Sequence, residues 1–165
     1  MSVSCVGISR GRQTVEIGPV TTEILTSTTS RLVRHRSETH YNAFGLVDYT
    51  LDNIRVVVDA AGKMLSTSYE DAHQTSFLYD AFGRTVRTTY ADGSFTTQTF
   101  DDAGRLVAEG TQAAAGTADG ELVEKEYAYD GFGRLICVTL PLALDPATGV
   151  MRHTVYEYAY DARGN

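Results

Sequence analysis

The sequence predicts an all-β protein built from stacked antiparallel β-hairpin repeats. Three observations predict it. A six-residue pattern with Asp second and Gly fifth recurs along the chain. The stretches between copies are rich in Thr, Tyr and Val, which fit a pleated surface. The glycines of the pattern step along the chain at a nearly fixed interval, and such an interval is the signature of a repeat architecture.

The clearest copies are Tyr79-Asp80-Ala81-Phe82-Gly83-Arg84, Phe100-Asp101-Asp102-Ala103-Gly104-Arg105, Tyr129-Asp130-Gly131-Phe132-Gly133-Arg134 and Tyr160-Asp161-Ala162-Arg163-Gly164-Asn165. A degenerate copy stands at Val58-Asp59-Ala60-Ala61-Gly62-Lys63, and Tyr41-Asn42-Ala43-Phe44-Gly45-Leu46 reads as a relic with Asn in place of Asp. From Gly45 the steps are 17, 21, 21, 29 and 31 residues, so the basic unit is 21. The excess in the last two intervals falls in Gly110–Gly120 and Pro141–Gly149, both of which have loop chemistry. The sequence thus divides into a strand-rich segment, 1–40, without the pattern, and a repeat array, 41–165, cut off within its last repeat.

Each copy should close a turn. An Asp carboxylate accepts hydrogen bonds from N–H groups two or three residues on, and the Gly takes the positive φ of a hairpin with a bulge. The flanks agree: 84–90 and 134–140 are rich in β-branched residues and hold no Gly or Pro before Pro141. A second turn follows at Ala91-Asp92-Gly93-Ser94, and 95–100 leads back to the next copy. One unit therefore holds two strands and two turns, with no room for a helix. Tyr156, Tyr158 and Tyr160 alternate with their neighbours, as Tyr127 and Tyr129 do, which predicts a tyrosine ladder on one face.

Composition narrows the function. A net charge of −7, with only Lys63 and Lys125 as lysines among 14 basic residues, argues against nucleic acid. Several of the arginines hold one motif position, which marks them as structural. No apolar run is long enough for a signal peptide or a membrane span. Cys5 and Cys137 match no metal or redox spacing and read as unpaired thiols.

Tyr-Asp-x-x-Gly-Arg, followed by a Thr-rich strand and an Asp-Gly turn, resembles the Rhs or YD-repeat family. The resemblance covers Tyr41 to Asn165 and rests on Tyr79, Asp80, Gly83, Arg84, Phe100, Asp101, Gly104, Arg105, Tyr129, Asp130, Gly133, Arg134, Tyr160, Asp161 and Gly164 as the structural motif. Members include bacterial polymorphic toxins, C subunits of insecticidal toxin complexes, wall-associated proteins and animal teneurins. Their repeats form a long β-sheet wound into a hollow shell, which in the toxins encloses an effector released after aspartyl self-cleavage. The resemblance implies a strip of shell wall, secreted or at the cell surface, whose partners are the rest of the shell and an enclosed polypeptide. Nothing in the chain matches the cleavage domain, the chain has no Trp, and Arg163-Gly164-Asn165 departs from the usual Gly-Arg.

The bland readings of the remaining residues prevail. Asp80, Asp101, Asp130 and Asp161 could be general acids or calcium ligands, but each stands first in its own turn. His35, His40, His73 and His153 have no zinc spacing and read as surface histidines. Asp145-Pro146 reads as a loop rather than a cleavage point. No cofactor, metal or catalytic residue is expected. The rival function is a cell-surface module that stacks carbohydrate on exposed tyrosines.

Overall fold

The computed structural model describes residues 13–26, 29–114, 122–161, 163 and 164. Cys5, Asn165 and the stretch 115–121 of the first insertion lie outside the described residues. The architecture is all-β and antiparallel, with no helix among the described residues, and contacts divide it into two units, 1–78 and 79–165.

In the first unit β1 (Gln13–Thr26), β2 (Thr29–Tyr41) and β3 (Val47–Val58) form a meander, with Thr21 opposite Val33 and Val33 opposite Val57. Alternation along β3 buries Ile54, Val56 and Val58 on one face, and Val33 is buried on β2. β4 (Met64–Ser68) pairs with the end of β3, while β5 (His73–Tyr79) pairs with its beginning. The two short strands thus run beside β3 in one direction, interrupted at 69–72.

That interruption follows from one missing glycine. Tyr69-Glu70-Asp71-Ala72 stands 21 residues before Tyr90-Ala91-Asp92-Gly93. In both, the fourth N–H donates to the Tyr carbonyl, at 3.1 Å from Ala72 and 3.0 Å from Gly93. Gly93 then adopts φ +84°, and the chain doubles back so that the Tyr90 N–H meets the Ser94 carbonyl at 2.9 Å. A Cβ disfavours that region by about 1–2 kcal/mol. With Ala72 the chain runs on instead, and Asn53 of β3, at φ +60°, donates from its side chain to the Asp71 carbonyl at 3.1 Å.

In the second unit β6 (Thr85–Thr89), β7 (Phe95–Phe100), β8 (Leu106–Gln112), β9 (Val123–Tyr129) and β10 (Leu135–Thr139) follow one another as paired neighbours. β11 (Ala143–Leu144) and β12 (Met151–Arg152) pair only with each other, and β13 (Val155–Glu157) returns to β10. A strand begins at Met151, but within that small hairpin, and the main sheet resumes at Val155. Asp145 makes the difference: its N–H donates to the Val150 carbonyl at 3.0 Å and its carboxylate accepts from the Ala147 N–H and the Thr148 hydroxyl, which closes a small separate hairpin.

Gly110, Thr111 and Gln112 also depart from expectation, because they lie in β8 rather than in a loop. Thr97 and Glu124 flank Gly110 across the sheet. A glycine inside a strand marks a close approach, and a Cβ at Gly110 would stand 2.8 Å from the Thr97 Oγ1 and 2.9 Å from the Leu122 Cδ1. Gly110→Ala is expected to cost about 1–3 kcal/mol by overpacking. Gly131→Ala, where nothing lies within 4 Å, should stay within about 0.5 kcal/mol of wild type in urea unfolding.

Candidate functional site: the repeat turn and its arginine

The copies that open at Tyr41, Val58, Tyr79, Phe100 and Tyr129 close the same turn. At Asp80 the backbone N–H donates to the Arg84 carbonyl at 3.0 Å, and the Gly83 N–H donates to the Asp80 carbonyl at 3.1 Å. Gly45, Gly62, Gly83, Gly104, Gly133 and Gly164 all lie between φ +79° and +87°, where only glycine sits without strain. Gly62, Gly104 and Gly133 each join strands that pair with one another.

The carboxylate reaches further than two or three residues. Asp80 Oδ1 accepts the Phe82 N–H at 2.9 Å and the Arg84 N–H at 3.0 Å, two and four residues on. Its Oδ2 accepts the Arg84 Nε at 2.6 Å. Asp101 with Arg105 and Asp130 with Arg134 repeat the pair at 2.7 Å. Asp161 accepts the Arg163 N–H at 2.8 Å, and the Gly164 N–H donates to the Asp161 carbonyl at 3.0 Å.

The two relics separate the roles of the two oxygens. Asn42 accepts the Phe44 and Leu46 N–H groups at 3.0 and 3.1 Å, although an amide stands where the carboxylate would be. Asp59 accepts the Ala61 and Lys63 N–H groups at 2.9 and 2.8 Å. One oxygen therefore closes the turn, and the other is needed only where arginine follows.

Held by its aspartate, each of these arginines stands over the ring that opens the next copy. Arg84 stands 4.3 Å from the Phe100 centroid, Arg105 4.8 Å from Tyr129, and Arg134 4.6 Å from Tyr160. These are cation–π distances, worth about 0.5–1 kcal/mol at exposed sites. Tyrosine returns the contact: Tyr129 donates to the Leu106 carbonyl at 2.9 Å and Tyr160 to the Leu135 carbonyl at 2.7 Å, each the residue after the stacked arginine. Arg105 Nη1 also reaches the Asp130 carbonyl at 3.4 Å. The ring partner across repeats is thus a guanidinium, where the sequence predicts an aromatic ladder. Tyr79, half-buried, ends β5 and leads into the Asp80 turn.

Phe82 and Phe132, at the turn tips, are more than four-fifths exposed, with Arg84 and Arg134 5.1 and 5.4 Å from their centroids. No group of three His, Cys, Asp or Glu among the described residues could hold a metal. Cys137 is a free thiol on β10. His40 is not a simple surface histidine: it stacks on Tyr49 with centroids 4.3 Å apart and lies 3.3 Å from buried Glu38. Glu38 also holds Arg36 and the Tyr69 hydroxyl. The alternation of Arg34, Arg36, Glu38 and His40 along β2 was the available signal for this polar face.

Electrostatics follows the geometry. The Arg105 N–H beside Asp101 and the Arg134 N–H beside Asp130 hold these carboxyls below the usual range, against partial desolvation and with help from the guanidinium. At Asp80 desolvation pushes upward, and the Arg84 N–H and guanidinium outweigh it. The Ser94 hydroxyl lowers Asp92, and the Thr148 hydroxyl lowers Asp145. Carboxyls depressed in the folded state stabilise it above the unfolded value, and that stability is lost as pH falls through the folded value. The urea midpoint should hold from neutrality to about pH 5 and drop below about pH 4. Asp101→Asn should keep its turn, as Asn42 does, and flatten part of that acid limb.

Tyr129→Phe should cost about 0.5–1.5 kcal/mol through loss of the bond to Leu106. Tyr156→Phe, at a half-exposed ring, should be neutral in the same urea titration.

Residues 79–118 match the family model described as RHS Repeat. No curated protein matches the chain. Among solved structures, a crystal structure of TcdB2-TccC3-TEV aligns with 92% of this chain and 8% of that one, at 16% identity and a TM-score of 0.45. A Photorhabdus luminescens Tc holotoxin pore with a TccC3 mutation aligns with 93% of this chain and 10% of that one, at 16% identity and a TM-score of 0.27. The chain therefore spans a tenth or less of the length of these structures.

Proposed function

We propose that this chain is a stretch of wall in an Rhs/YD-repeat shell that encloses a toxin or effector polypeptide. It has no catalysis, cofactor or metal of its own in this reading, and the shell works outside the cell or at its surface. The observation that carries the reading is the arginine held by one turn and laid over the first ring of the next. Such a contact hands register from repeat to repeat, so the sheet can extend without a deep core. Only Val138 is a buried apolar side chain among the described residues of the second unit. The RHS Repeat match at 79–118 supports the family, and the Asn42 turn supports an array that starts near residue 41.

The rival adhesion reading needs open ring faces. Tyr127, Tyr129 and Tyr160 each carry a cation over one face, which leaves Tyr90, Tyr156 and Tyr158, about half exposed, as candidate sugar platforms.

Protease protection tests the shell reading. The uninterrupted reading frame that holds this segment is expressed and digested under native conditions. An enclosed polypeptide should survive until the wall is denatured, and Arg105→Ala together with Arg134→Ala should expose it sooner. Digestion of every other segment at the rate seen for the denatured chain would end the enclosure reading.

A further inference from the structure

The insertion hairpin β11–β12 turns apolar side chains toward solvent. Leu144 pairs with Met151 across it, and Leu142, Leu144, Val150 and Met151 are each at least half exposed. Between this hairpin and the start of β9 lies a groove of about 310 Å³, lined by Leu122, Leu142 and Met151, with Glu124, Glu126 and His153 along it. That volume is near the lower end for ligand cavities, about 300–1,000 Å³, so it takes one or two side chains rather than a large molecule.

The acids are uncompensated. Neither the Glu124 nor the Glu126 carboxylate has a hydrogen bond or ion pair among the described residues. The nearby basic groups are turned away or engaged. Arg152 alternates with Met151 and so points from the opposite side of the hairpin. Lys125 alternates with Glu124 and Glu126 and is held by Glu109 at 3.4 Å. The Nδ1 of His153 lies 2.9 Å from the Leu140 carbonyl.

We propose that this groove docks an extended polypeptide segment carrying an apolar residue flanked by Lys or Arg. The apolar floor takes the side chain, and the glutamates take the flanking cations. Nucleic acid and anionic lipid headgroups are excluded by the same carboxylates. A second copy of this chain, at net charge −7, approaches the groove against net repulsion. The inference stands on the groove and does not depend on enclosure.

The probe is a fluorescein-labelled Lys-Leu-Lys-Leu-Lys peptide, followed by anisotropy at physiological salt. Wild type should bind it, and peptides with Glu for Lys or Ser for Leu should not bind. Met151→Ser, and Glu124→Gln with Glu126→Gln, should each weaken binding about tenfold. Glu70→Gln with Asp102→Asn removes the same charge at two exposed positions elsewhere and should leave binding unchanged. Equal weakening by that control, or full binding by the groove variants, overturns the proposal. Self-association in sedimentation that Met151→Ser abolishes, with no peptide bound, also overturns it and makes the groove a contact between copies.

Discussion

The structure of the second unit depends on one carboxylate used twice. In Asp80, Asp101 and Asp130 one oxygen closes the turn through backbone N–H groups, and the other fixes a guanidinium. An exposed arginine ordinarily loses much of its binding energy to side-chain freedom, which is why surface ion pairs contribute little. Here the turn has already fixed the aspartate, so the arginine has a rigid partner. Its flat face is then free to rest on the next ring.

This arrangement explains how a sheet with so few buried apolar side chains holds its register. A slip of one residue would turn each strand's side chains to the opposite face. It would also part every guanidinium from its ring and every Tyr129-type hydroxyl from its carbonyl. One such contact at the Phe100 junction and two at the Tyr129 and Tyr160 junctions, small in themselves, act where a conventional core would otherwise set the alignment.

Much of this was legible in the residues. Asp and Gly at fixed spacing announced the turns, and the β-branched flanks announced the strands, because both signals are local. The partner of each arginine was not legible, since the stacked ring lies 16 to 26 residues on, in the next copy, and only the folded sheet brings them together. The same holds for Gly110, which reads as loop composition but sits in β8 under Thr97 and Leu122. Ala72 could have been noticed: Tyr-Glu-Asp-Ala in place of Tyr-Ala-Asp-Gly predicts that the second turn fails there. On β2, the meeting of Glu38 with Tyr69, 31 residues on, carried no local sign.

The stacking of each guanidinium on the ring that follows gives the array a head and a tail. A repeat offers a cation to its successor and a ring to its predecessor, so whole units of one length fit end to end in any number. Unequal crossing-over between copies of the motif would add or remove complete units and leave every junction matched. An exchange out of register would strand a cation without a ring. Growth and shrinkage of such a gene by whole repeats is therefore the path that the protein tolerates, and long insertions accumulate between motifs, as they do at 113–121 and 141–154.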